Sequence, residues 1–117
     1  MLYKSVDDFY RHIANLKIAN PKRLSREEEK EYAIRMKEGD EEACQALIDS
    51  YLPVLGSYLK RYTHTPSLDM IYRGLEVLNT ALRTYNFLHE STSPNVNFAC
   101  YLSDKLRRTM TRYIATD

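Results

Sequence analysis

Residues 97–114, "NFACYLSDKLRRTMTRYI", hold the clearest chemistry in the chain. On a helical wheel at about 100° per residue, Phe98, Leu102, Leu106, Thr109 and Tyr113 gather on one side. Tyr101, Asp104, Arg108, Thr111 and Arg112 gather on an adjoining face, with Arg107 at its far border. The first set is the expected core face. The second has the parts for nucleic-acid contact: arginine forks for phosphate, a threonine hydroxyl for base edges, and a tyrosine ring for stacking. The same residues also suit an ordinary solvated face, in which Asp104 and Arg108 form an i,i+4 ion pair.

Elsewhere the residue types that do chemistry are scattered. His12, His64 and His89 match no motif with a carboxylate or a cysteine. Gly39, Gly56 and Gly74 lie too far apart for a phosphate-cradling loop. The glutamates of "SREEEKE" fall in a first helical turn, where they oppose the helix dipole rather than assemble a metal site. Cys44 and Cys100 have no second Cys or His at ligand spacing, so both are expected as reduced thiols, buried or half-buried, as suits a cytoplasmic protein. No cofactor is implied, and a binding domain is expected rather than an enzyme.

The elements that must position the arginine face follow from periodicity and caps. The chain has 117 residues and a formal net charge of +1, enough for one compact domain but no bulk polycation. No apolar run approaches the roughly 20 residues of a membrane span, and the N-terminus lacks a signal-peptide core. Ser5 opens a first helix whose stripe is Val6, Phe9, Tyr10, Ile13 and Leu16, ended by Asn20-Pro21. Ser25 opens a second, with Glu28 at capping-box spacing, stopped by Gly39. Asp40 opens a third, with the stripe Ala43, Leu47, Ile48, Tyr51, Leu55, Tyr58, Leu59 and Tyr62. Pro53 is expected to kink or split it near Ser50. The fourth runs from about Ser67 to Tyr85, with Leu68, Ile71, Leu75, Leu78, Leu82 and Tyr85 on one side. Residues 86–96 read as an exposed loop, and Asn95 or Asn97 as the cap of the fifth helix. No convincing strand appears. The expected fold is all-α, a compact bundle of about five helices, with residues 1–20 as an appendage to a domain spanning 24–117.

Charge is segregated along this series. Residues 25–42 carry four bases against eight acids; residues 97–117 carry four bases against two acids. Lys60 and Arg61, at the end of the third helix, suit either a phosphate or the negative end of the helix dipole.

The order of these features resembles the sigma-70 family of bacterial transcription initiation factors. "LSREEE", "KEGDEEA" running into "ALI", and "LKRYT" resemble the start of the family's helical domain. "DMIYRGLEVLNTALRTYN" is similar to its polymerase-binding helix, usually Asp-Leu-Ile-x-x-Gly-x-x-Gly-Leu. "FACYLSDKLRRTMTRYI" is similar to its promoter-reading helix, usually Phe-Ser-Thr-Tyr-Ala followed by an aromatic pair and Ile-Arg. The resemblance covers residues 24–117. It implies a domain equivalent to the family's regions 1.2 and 2, as a divergent member or an N-terminal fragment.

By this resemblance the domain docks on the clamp helices of the largest RNA polymerase subunit and holds the non-template strand of the promoter minus-ten element. An anti-sigma protein is a further candidate partner. The implied polymerase-binding residues are Asp69, Ile71, Tyr72, Arg73 and Gly74; of these Asp69, Ile71 and Gly74 match the pattern. Tyr72 and Arg73 depart from it, as do Leu75 and Val77. The implied DNA-binding residues are Phe98, Tyr101, Arg107, Arg108, Thr111 and Arg112, with Arg108 standing where Gln is usual. Asp104 and Lys105 occupy the place of the aromatic pair, often two Trp, that wedges the duplex open; this chain has no Trp. The departures leave two functions open: a sigma-like domain that reads DNA and opens it weakly, or a sigma-like protein-interaction module that has lost promoter melting.

Overall fold

The computed structural model describes residues 3–20, 22, 24–85 and 98–116. Among these residues it is an all-α bundle of five helices: α1 (Val6–Ala19), α2 (Arg26–Lys37), α3 (Glu41–Tyr62), α4 (Leu68–Thr84) and α5 (Phe98–Thr116). The readings of residues 86–96 as a loop, of Asn95 or Asn97 as the α5 cap, and of His89 and the Tyr113 side chain lie outside what is described.

Short polar side chains start the first four helices by satisfying N–H groups that have no carbonyl a turn behind them. Ser5 Oγ accepts from the Asp8 N–H at 3.2 Å, and Ser67 Oγ from Met70 at 3.2 Å. Ser25 and Glu28 close a full capping box, each side chain accepting the other's N–H at 3.1 Å. Between α2 and α3 the chain turns at Gly39, whose φ of +97° is one that a side chain would strain. Asp40 then caps α3 through the N–H groups of Glu42 and Ala43, and its second oxygen accepts from Arg35 Nε at 2.9 Å. The Ala43 N–H, followed by the Arg35 hydrogen bond, holds the Asp40 carboxyl below its usual range.

α3 is the central post, packed on by α1, α2 and α4, with α5 against α4. It runs unbroken through Pro53, against the expected split. Proline costs the helix one hydrogen bond, but Leu47, Leu52, Leu55 and Leu59 are all buried on either side of it. Burial at about 1.5–3 kcal/mol per side chain outweighs that loss.

The break at Asn20-Pro21 does not separate α1 from this core. Phe9 is fully buried and Ile13 nearly so. At Gly56 of α3 a Cβ would lie 2.6 Å from Ile13 Cδ1 and 3.2 Å from Tyr10 Cε1, so α1 approaches α3 closely there. Tyr10 donates to the Gly56 carbonyl at 3.0 Å across the same contact. Ahead of the helix, Tyr3 is buried edge-on to Phe9 and bonds His12 Nδ1 at 2.7 Å.

Candidate nucleic-acid interface

α5 is anchored by Phe98, Leu102, Leu106 and Met110, all buried. Phe98 and the two leucines belong to the expected face; Met110 takes a core place that the wheel assigned to Thr109, which is only half-buried. Phe98 is 1% exposed, its ring edge-on to Tyr51 at 4.8 Å and to Tyr85 at 5.3 Å. It therefore fixes the start of α5 and presents no surface to a ligand, a correction to its expected place among contact residues.

Tyr101 is half-buried and engaged on several sides. Its ring lies 5.1 Å from Tyr85, and Lys105 Nζ sits 4.9 Å from its centroid. Its hydroxyl is 2.8 Å from Thr84 Oγ1. Because the single Thr84 proton goes to the Thr80 carbonyl at 2.9 Å, Tyr101 is the donor in that pair. The Tyr101 ring is thus held in place at the α4–α5 seam, with Lys105 as its cationic cover.

The outer face carries Arg107, Arg108, Thr111 and Arg112, all exposed. Asp104 reaches two of these arginines at once: Oδ1 accepts from Arg107 Nη2 at 2.8 Å, and Oδ2 lies 3.1 Å from Arg108 Nη2. The i,i+4 pair expected of a solvated face is present, and the i,i+3 pair with Arg107 adds to it. The Arg107 hydrogen bond, aided by the Arg108 charge, holds the Asp104 carboxyl below its usual range. The same bond raises the Arg107 guanidinium.

Behind this face, Tyr58 of α3 donates to the Ser103 carbonyl at 3.1 Å and joins the two helices. Tyr62 OH lies 3.3 Å from Tyr58 OH, and with the Tyr58 proton committed to Ser103, Tyr62 donates. Burial pushes the Tyr58 phenol up to about 12. Lys60 and Arg61 are both exposed in the last turn of α3. Lys60 has a third role beyond phosphate or dipole: its Nζ lies 4.2 Å above the Tyr10 ring and pins α3 to α1.

The residues expected to bind polymerase divide by depth. Ile71 is fully buried, and Gly74 is buried where a Cβ would meet Leu55 Cδ1 at 2.7 Å; both hold α4 against α3. Asp69 and Arg73 are exposed and paired at 3.3 Å. Tyr72 is half-buried and exchanges two hydrogen bonds with the Tyr3 backbone: it donates to the carbonyl at 2.8 Å and accepts from the N–H at 3.1 Å. The N-terminal segment therefore lies against this part of α4. Sequence reasoning missed Tyr3, whose signal is an aromatic placed two residues before the Ser5 cap, a near variant of the hydrophobic staple onto Phe9.

Cys44 is buried, but Cys100 is exposed. Cys100 falls on the outer side of α5 because Phe98 and Leu102 take the core positions around it. Among the described residues, no group of three or more His, Cys, Asp or Glu could hold a metal ion, and no helix is long and apolar enough to cross a membrane. No protein-family model matches this chain, and no solved structure matches it.

Proposed function

We propose that the chain is a divergent sigma-70-like domain that binds core RNA polymerase and holds single-stranded promoter DNA along α5. The observation that carries this is the outer face of α5, where Arg107, Arg108, Thr111 and Arg112 are exposed together on one helix. Guanidinium groups in a row suit a phosphate backbone, and Thr111 suits a base edge. The ordered resemblance of three segments to the family supplies the rest: the polymerase clamp helices as partner for α4, the minus-ten non-template strand as ligand for α5, and the cytoplasm as the place of work. Of the α4 residues implied by the resemblance, Asp69, Tyr72 and Arg73 have surface to offer polymerase, while Ile71, Gly74 and, in α5, Phe98 act as scaffold.

A specific observation favours the alternative of a sigma-like protein-interaction module, regulated by an anti-sigma protein, without promoter opening. Asp104 ties up Arg107 and Arg108, and Lys105 covers Tyr101, so the place of the family's strand-separating aromatics holds an internal salt bridge and a cation.

Reconstitution with core polymerase separates the two. On a template melted in advance across the minus-ten element, the sigma-like function predicts a polymerase–DNA complex that needs this chain. Polymerase bound without gain of DNA supports the module instead. Failure to bind polymerase overturns both.

A further inference from the structure

The row Ala46, Ser50, Pro53, Ser57 and Arg61 recurs along α3 at three- and four-residue spacing, so it forms one face of the helix. The neighbouring helices leave this face open. It floors a cleft of about 840 Å³ between the end of α1, α2 and α5. Leu16, Leu24, Tyr32 and Val54 supply apolar wall. Among the described residues, three cations line it, Lys17, Lys22 and Arg61, against one carboxylate, Asp49, which accepts from Gln45 Nε2 at 2.8 Å. The glutamates of the acidic α2 do not line it. From Ala46 to Arg61 the floor is about 22 Å long at 1.5 Å per residue, some four helical turns.

We infer that this cleft is a docking groove for an acidic amphipathic helix of a partner protein. A helical floor with small side chains at Ala46, Ser50 and Ser57 allows a second helix close approach. Leucines spaced along its inner face meet Leu16, Leu24, Tyr32 and Val54, the helix-in-groove mode. Glutamates at its edges meet Lys17, Lys22 and Arg61, which gives charge complementarity and steers encounter. A nucleic acid is a poorer occupant: the walls are mainly aliphatic, and the Tyr58 hydroxyl at the edge is committed to the Ser103 carbonyl. The groove is also separate from the arginine face, since Arg107, Arg108 and Arg112 are not among its lining residues. The inference therefore stands independently of DNA binding by α5.

The test uses the full chain and a labelled synthetic peptide of about 16 residues, long enough for the floor as a helix. It carries Leu at helical i, i+3, i+4, i+7 spacing and Glu elsewhere, and binding is read by fluorescence anisotropy. Controls are the same peptide with Lys for Glu, an acidic peptide with its leucines scrambled, and a single-stranded oligodeoxynucleotide. The acidic amphipathic peptide is expected to bind at least tenfold tighter than either control peptide. The double variant K17E/R61E should weaken it at least tenfold, as should Ser57→Glu at an exposed floor position. The double variant K4E/K37E, which makes the same charge change outside the cleft, should leave binding unchanged, and circular dichroism checks that every variant is folded. Equal binding of the Lys or scrambled peptide overturns the inference, as does indifference of folded K17E/R61E. Loss of oligonucleotide binding in Ser57→Glu, with no binding of the acidic peptide, reassigns the groove to nucleic acid and overturns it too.

Discussion

The Asp104 carboxylate decides how much of the α5 charge is offered to a ligand, because it engages Arg107 and Arg108 together. Removing it frees both guanidinium groups for phosphate, so Asp104→Asn should raise affinity for single-stranded DNA several-fold at low salt, read by anisotropy. The linkage has a definite sign. A carboxyl whose folded pKa is depressed stabilises the fold above its ordinary value and loses that contribution as pH falls through the folded value. Asp104→Asn should therefore flatten the acid limb of stability against pH by lowering stability in the neutral range, with no change once pH is below the folded value. Tyr58 has the opposite sign: with its phenol raised to about 12, stability is intact below pH ~10 and falls as pH climbs from there toward 12. Tyr58→Phe should remove that part of the alkaline loss, measured by denaturant unfolding. At this scale the Asp104–Arg108 pair was legible, because both residues sit on one helix at fixed spacing. The enclosure of Tyr101 was not, because Thr84 and Tyr85 come from another helix.

Helix starts were legible at Ser5, Ser25, Asp40 and Ser67, since a cap is a contact over two or three residues. Ser25→Ala breaks a closed capping box and should cost about 1 kcal/mol in denaturant unfolding. Continuity at Pro53 was not legible: local rules predict a break, and tertiary burial on both sides of the proline decides otherwise. The place of α1 was hidden for the same reason. Periodicity gives its stripe, but only the packing of Phe9 and Ile13 onto α3 at Gly56 makes it part of the core. Phe9→Ala should lower stability by about 3–5 kcal/mol in one cooperative transition; a detached appendage would lose α1 signal without moving the main midpoint.

Over the whole molecule, a net charge of +1 conceals an acidic α2 and a basic α5 held at different places on the bundle around α3. The segregation was legible in sequence, and so was the all-helical class, because neither depends on knowing which helices touch. The contribution of each basic residue was not. Arg107 and Arg108 are internally paired, Lys60 covers a ring, and Lys17, Lys22 and Arg61 line a cleft rather than α5. The central claim is that the outer face of α5 holds single-stranded nucleic acid through its arginines. Phosphate contacts release counterions, so each contributes about 0.7 to the slope of log K against log salt on single strands. The most direct measurement is that slope for the intact chain and for R107A/R108A/R112A on a minus-ten-like single strand. The account predicts salt-dependent binding by the intact chain and a slope smaller by about 2 in the variant. Equal slopes and affinities for the two proteins, or no binding by the intact chain at low salt, would contradict it.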